Sequence, residues 1–330
     1  MANQIVTMVQ AINLALRQEM KKDPSVLVFG EDVGLEGGVF RVTEGLQKEF
    51  GEERCFDTPL AEAGIVGSAI GLAINGMKPV CEIQFSGFFF EGFSQMMCHA
   101  ARMRNRTRGR QTVPMVLRMP YGGGIKALEH HSESMEAIFA HTQGLKVVMP
   151  STPFDAKGLL TAAMRDPDPV IFMEPKRLYR AFKQEVPEDE YFIPLGKAAT
   201  IQQGEDVTLI AWGAMVRECY EAAAEAQKLG ISCEVIDVRT ISPLDHETII
   251  ESVQKTGRAV IIHEAPRSFG PGAEIATLLY EALGTQLKAP ITRVTGFDVI
   301  MPLLRTEDRY MPDSFRVLEG IKKVTGKTDK

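Results

Sequence analysis

With 330 residues, 45% of them hydrophobic and 24% charged, the chain can bury a sizeable core and is longer than one ordinary domain usually runs, so two domains are expected. A formal net charge of −6 argues against nucleic acid as a partner, and the one dense basic run, Arg102, Arg104, Arg106, Arg108 and Arg110, reads as a solvated or subunit-contacting face. No apolar run is long enough to cross a bilayer, and Cys55, Cys81, Cys98, Cys219 and Cys233 are too scattered for a zinc site, reading instead as reduced thiols of a cytoplasmic protein.

Short apolar runs alternate with helical periodicity from end to end, the pattern of parallel strands joined by crossover helices, so the expected fold class is α/β. Ile5, Met8, Val9, Ile12 and Leu16 open the chain as an amphipathic helix rather than a leader segment. In the first half, strands are expected at 26–30, 80–85, 115–119, 145–148 and 170–174, with helices at 7–21, 62–75, 90–104 and 153–165. The charged, Pro-bearing stretch 183–196 is the candidate linker, dividing the chain into a domain over 1–185, a linker over 186–196 and a domain over 197–330. Beyond it, strands at 206–212, 232–238 and 258–264 alternate with helices at 215–229, 245–256 and 272–280, a second and smaller parallel sheet. Gly270-Pro271-Gly272 is only a fragment of a dinucleotide fingerprint and reads as a helix-entry turn.

Three places could carry chemistry. In Asp57-Thr58-Pro59-Leu60-Ala61-Glu62-Ala63-Gly64, an extended Thr-Pro segment delivers a carboxylate to the first turn of a helix. Gly64, Gly67, Ser68 and Gly71 then recur on one face, which allows close approach by another backbone. Glu62 is either a first-turn acid stabilised by the helix dipole, or a carboxylic acid held in a dry, subunit-lined pocket where it exchanges a proton with a ring nitrogen. Gln84 and Phe88 follow the second strand, where ligands of parallel sheets collect; Phe88 is either core or a stacking face for a heterocycle. The three-Gly turn Gly122-Gly123-Gly124 leads to His130 and His131, whose adjacency suits proton transfer on a mobile loop better than metal binding. His141 reads equally as a structural histidine. A chain that bound a diphosphate and Mg²⁺ by itself should show a Gly-rich phosphate loop or an acidic Gly-Asp-Gly segment followed by an Asn, and neither is present.

These pieces, with Phe29-Gly30-Glu31-Asp32-Val33-Gly34, Gly37-Gly38-Val39-Phe40-Arg41, Glu82-Ile83-Gln84-Phe85, Pro150-Ser151-Thr152-Pro153-Phe154-Asp155 and Val235-Ile236-Asp237-Val238-Arg239-Thr240, resemble the beta subunits of the thiamine-diphosphate-dependent decarboxylase component of 2-oxo acid dehydrogenase complexes, most closely the bacterial pyruvate dehydrogenase type. The resemblance covers nearly the whole chain. It implies a pyrimidine-binding thiamine-diphosphate domain followed by a transketolase C-terminal-like domain for assembly and core docking. It implies that Glu62 bonds the aminopyrimidine ring, that Leu60, Gln84 and Phe88 contact the cofactor, and that His131 orients substrate and serves reductive acylation of a lipoyl group. An alpha subunit, in an alpha2beta2 heterotetramer, would hold the diphosphate and Mg²⁺. A structural K⁺ on backbone carbonyls of Met115, Ala163 and Asp166, and a dihydrolipoyl acyltransferase core as partner, are further implications, with pyruvate converted to acetyl-CoA after glycolysis. Phe88 stands where branched-chain relatives carry Tyr, which points to pyruvate. A branched-chain or acetoin dehydrogenase, a stand-alone transketolase-like enzyme, a non-catalytic binding module and a His-based metallohydrolase remain the alternatives.

Overall fold

A computed structural model describes residues 3–327. Among these, seven strands form the larger sheet, in the order Thr240–Ser242, Lys146–Val148, Val170–Pro175, Val116–Tyr121, Lys78–Glu82, Val26–Gly30 and Cys55–Asp57. Every neighbouring pair is parallel except the first. The smaller sheet runs Thr292–Thr295, Ala259–His263, Val207–Ala211, Cys233–Asp237 and Ala199–Gln202, parallel except at its last pair. All five residues of Val26–Gly30, Val207–Ala211 and Ala259–His263 are buried, as expected of strands covered on both faces by helices.

Local chemistry sets the helices. Thr7 caps Met8–Lys22 through a reciprocal box with Gln10, and the buried stripe Met8, Ile12, Ala15 and Leu16 packs this helix against Pro153–Met164. The latter starts at Pro153, with Thr152 accepting from the Asp155 N–H. In the second half, Asp245 and Asp313 cap His246–Thr256 and Ser314–Thr325 in the same way.

One expected helix is replaced. The stretch 90–104 is broken into a 3₁₀ turn at Ser86–Gly92, a π turn at Gln95–His99, a second 3₁₀ turn at Ala100–Arg102 and a short α-helix at Met103–Arg106. The chain is pinned on both sides. A Cβ at Gly92 would lie 2.9 Å from Val66 Cγ2 and 3.3 Å from the Glu62 carbonyl, and the Gly144 backbone presses on the Ala101 carbonyl. The π turn takes up the residue that a regular helix between those pins could not accommodate.

Segments distant in sequence close the fold. Asn3–Val6 pairs antiparallel with Gln184–Pro187, and Thr240–Ser242 crosses to the edge of the larger sheet. One apolar cluster contains Leu117, Met119 and Met173 of the larger sheet together with Ile210, Trp212 and Ile236 of the smaller. The ends of Val116–Tyr121 and Val170–Pro175 therefore face Trp212 and Gly213, whose missing side chain leaves room for the Tyr121 hydroxyl.

Candidate active site

Glu62 opens the helix Glu62–Ile74 after an Ala61 whose side chain supplies no cap. Upstream, the Thr58 N–H donates to the Gly30 carbonyl at 2.9 Å, and the Asp57 carboxylate accepts from the backbone N–H groups of Gly34 at 2.6 Å and Leu35 at 3.2 Å. Those bonds fix the segment after Cys55–Asp57 against the loop after Val26–Gly30, at the C-terminal ends of adjacent parallel strands. Glu62 is 7% exposed, and among the described residues no side chain or backbone group donates to its carboxylate. Its oxygens are not among the fully buried unpartnered atoms, so the carboxylate keeps access to a partner arriving from outside. Leu60, two residues earlier, is 72% exposed, and the small-residue face of the helix is open at Gly64, Ser68 and Gly71.

Glu31 and Asp32 stand beside Glu62. Burial, with the carboxylates of Asp32 and Glu62, raises the Glu31 carboxyl above its ordinary range. Asp32 has φ 57°, and its Oδ2 accepts from Gln84 Nε2 at 3.2 Å. Sequence reading placed Glu31 and Asp32 only within a longer motif; the available signal was an acidic pair directly after a fully buried strand.

Gln84 and Phe88 lie beyond the end of Lys78–Glu82, the latter in the turn Ser86–Gly92 that packs on the Glu62 helix. Phe88 is half-buried and meets the His131 ring edge-on at a centroid distance of 5.1 Å, while Phe85 meets the same ring at 4.4 Å. The His131 Nδ1 lies 3.0 Å from the Glu129 carbonyl. His130 points away: it is exposed, has φ 65°, and its carbonyl sits over Gly87, where a Cβ would come within 2.1 Å. Ser132 Oγ and Thr58 Oγ1 are buried without partners, so unmet polar groups occur next to both His131 and Glu62. His141 is exposed and follows the short helix Glu136–Ala140.

The remaining residues lie apart from this group. The Met115 carbonyl accepts from Val170 N–H at 3.0 Å, and that of Ala163 from Asp166 N–H at 3.2 Å, which gathers Met115, Ala163 and Asp166 around the turn 163–170. The Asp166 carboxylate holds Lys146 Nζ at 2.5 Å. All five arginines of the basic run are exposed, and Arg104 pairs with Asp168 at 2.6 Å.

Sequence reading missed a buried ion cluster under the site. Arg118 Nε and Nη2 donate to the two oxygens of Glu174 at 2.7 and 2.9 Å, Nη1 donates to Glu82 at 2.7 Å, and Tyr179 donates to Glu174 at 2.5 Å. Burial raises the Glu82 carboxyl despite Arg118. A charge inside each of three apolar strand runs was the signal.

The comparisons with known proteins agree with this arrangement. The description "Transketolase, pyrimidine binding domain" matches residues 4–181, and "Transketolase, C-terminal domain" matches residues 196–317. A pyruvate dehydrogenase E1 component subunit beta of Acholeplasma laidlawii is 58% identical over 320 residues, covering 97% of this chain and 98% of the relative. The protein of the same name from Bacillus subtilis is 53% identical over 319 residues with the same coverage. A split-gene transketolase, solved as an inactive beta4 tetramer, superposes with a TM-score of 0.77 at 20% identity, over 97% of this chain and 98% of its own, a likeness of fold.

Proposed function

Since this chain belongs to the family of pyruvate dehydrogenase E1 component beta subunits, with a transketolase pyrimidine-binding domain and a transketolase C-terminal domain, we propose that it supplies the aminopyrimidine half of a thiamine-diphosphate site whose other half comes from an alpha subunit. The observation that carries this reading is Glu62: a largely buried residue at a helix start whose carboxylate has no donor among the described residues, beside an exposed Leu60 and an open small-residue face. An aminopyrimidine ring nitrogen is the donor or acceptor that this geometry lacks. Leu60, Gln84 and Phe88 would line the ring. The diphosphate and Mg²⁺ would be held by the alpha subunit in an alpha2beta2 assembly.

Thiamine diphosphate, when bound, supplies the electron sink for decarboxylation of a 2-oxo acid. This chain's Glu62 holds and moves the proton at the ring nitrogen, a task for which a dry, subunit-lined setting is suited. His131, set against Phe85 and Phe88, orients substrate and serves transfer of the acetyl group to one sulfur of a lipoyl disulfide, the other sulfur leaving as a thiol. The dihydrolipoyl acyltransferase that bears the lipoyl group is the downstream partner, and pyruvate is the preferred acid. We further propose K⁺ on carbonyls at Met115, Ala163 and Asp166, which the backbone bonds at Met115 and Ala163 gather around the turn 163–170. The division into 1–185, a linker over 186–196 and an assembly domain over 197–330, and a cytoplasmic setting, belong to the same reading. Among the described residues no helix is long and apolar enough to cross a membrane.

The test is Glu62→Gln in enzyme co-purified with its alpha subunit, assayed by 2-oxo acid decarboxylation with an artificial electron acceptor. Assembly should survive while turnover falls by roughly a hundredfold or more, because the isostere cannot transfer the proton. Normal turnover by the variant would overturn the role of Glu62, and preference for a branched-chain acid would overturn that of pyruvate.

A further inference from the structure

Segment 122–134 joins the strand Val116–Tyr121 to the helix Glu136–Ala140 and carries His131. Two carboxylates from beyond the linker grip it, and the reaction outlined above uses neither. Glu264, directly after Ala259–His263, is buried and accepts from Ser134 Oγ at 2.8 Å, at the far end of the segment. The same carboxylate lies against the near end: a Cβ at Gly122, where φ is +83°, would come within 1.8 Å of Glu264 Oε1, so only glycine fits. Glu307, opening Glu307–Tyr310, is 1% exposed, and its Oε1 accepts from the backbone N–H of Gly124 and, at 3.3 Å, from that of Lys126. Met301 and Met311 close over Gly123, with atoms 2.8 and 2.9 Å from where its Cβ would be. Lys176 is buried among Glu264, Glu307 and Glu133; burial lowers its ammonium to about 8 while those carboxylates pull the other way.

First-domain contacts hold the opposite side of the segment. Gly122 N–H donates to the Glu133 carbonyl at 2.9 Å, Ser86 Oγ donates to the same oxygen at 2.8 Å, and the His131 ring rests on Phe85 and Phe88. Lys126 and His130 adopt φ of 57° and 65°, a conformation that persists only where surroundings over-determine it. A run of three glycines has the largest conformational entropy to lose, so without anchors it would not hold a side chain in register.

We propose that Glu264 and Glu307 are positioning residues: from the second domain they clamp segment 122–134 and so set where His131 stands for acyl transfer. The proposal rests on the reading of His131 given above. It assigns the second domain a part in the active site as well as in assembly.

The test uses the enzyme assembled with its alpha subunit and compares Glu307→Ala, Glu307→Gln, His131→Ala and the double variant Glu307→Ala/His131→Ala. Two rates are measured, decarboxylation with an artificial electron acceptor and acylation of a free lipoyl domain. Glu307→Ala should lower lipoyl-domain acylation roughly tenfold or more, since a displacement of about 1 Å is enough for that, and leave the artificial-acceptor rate unchanged. Glu307→Gln should restore acylation, because its amide oxygen still accepts from Gly124 and Lys126. Adding Glu307→Ala to His131→Ala should cost nothing further. Amide exchange across 124–134 should quicken in Glu307→Ala while that of the larger sheet stays unchanged. Multiplicative losses in the double variant, equal losses in both assays, or unchanged exchange would overturn the clamp. If Glu307→Ala does not assemble, Ser134→Ala, which removes one bond to Glu264, takes its place with the same readouts. If His131→Ala acylates normally, the His131 reading fails on its own account, and amide exchange alone then decides the clamp.

Discussion

Two buried charge clusters in this molecule are built differently. Arg118, Glu82 and Glu174 lie on neighbouring strands of the larger sheet with Tyr179 beside them, and each guanidinium nitrogen donates to a carboxylate. Glu136, Glu264, Glu307, Lys176 and His263 lie where the two sheets meet, and there Glu136 Oε2, Glu307 Oε2 and Lys176 Nζ have no hydrogen-bond partner. Burial pushes the Glu136 carboxyl up to about 7 and lowers His263 to about 4 and Lys176 to about 8. Paired charges make a rigid floor for the loop bearing Glu31 and Asp32. Incompletely paired charges make a boundary that titrates near neutrality, beside the segment that carries His131.

The comparison breaks most visibly at Arg118. Replacing it with methionine leaves two facing carboxylates buried without a cation, a loss expected to be about 3–5 kcal/mol. The urea midpoint of Arg118→Met should fall accordingly, and an unchanged midpoint would mean that the cluster is not a structural floor.

At the boundary the larger expected effect depends on pH. Glu136 is raised from its ordinary 4.5 to about 7, chiefly by burial. Below about 4.5 the carboxyl is protonated whether the chain is folded or not; between 4.5 and 7 the folded state keeps a proton that the unfolded state has released, so stability falls as pH rises. The full loss is about 3 kcal/mol by pH 8, since one pKa unit corresponds to about 1.4 kcal/mol. Glu136→Gln cannot ionise and should escape it, so the variant's urea midpoint should gain on the parent between pH 5 and pH 8. A constant difference across that range would contradict the shift.

Much of this architecture was legible because local pattern and tertiary burial agree. Val26–Gly30 is an unbroken apolar run and the other central strands are mostly apolar, and Thr7, Thr152 and Asp245 cap where capping residues are expected. Glu62, Gln84, Phe88 and His131 stood out because each follows a strand end or a glycine turn. What the sequence hid is long-range. The ribbon of Asn3–Val6 with Gln184–Pro187 and the edge strand Thr240–Ser242 depend on partners far along the chain and leave no periodicity of their own. Glu264 and Glu307 are single acids, and only the folded chain puts them on segment 122–134. The π turn at Gln95–His99 is set by contacts at Gly92 and Gly144, beyond the reach of a helical template.

The smallest expected effect sharpens the boundary further. Trp212 stacks on His263 at 5.2 Å and 11°, and its Nε1 donates to Glu136 Oε1 at 3.3 Å. Trp212→Phe keeps an aromatic face for the stack and removes one bond, and a bond to the ionised carboxylate is worth more than a bond to the acid. A fully buried indole also leaves a cavity, a cost that does not change with pH, so the signal is the difference between the losses at pH 8 and pH 5, expected to be about 1 kcal/mol. Because Trp212 is the single tryptophan of the chain, unfolding has to be followed by circular dichroism rather than fluorescence. The decisive comparison places Trp212→Phe in the Glu136→Gln background, where no charge remains for the indole to stabilise. If the pH dependence of the tryptophan substitution vanishes there, the indole acts through the Glu136 charge; if it persists, another buried carboxyl of the boundary carries it, Glu264 being one that burial also raises.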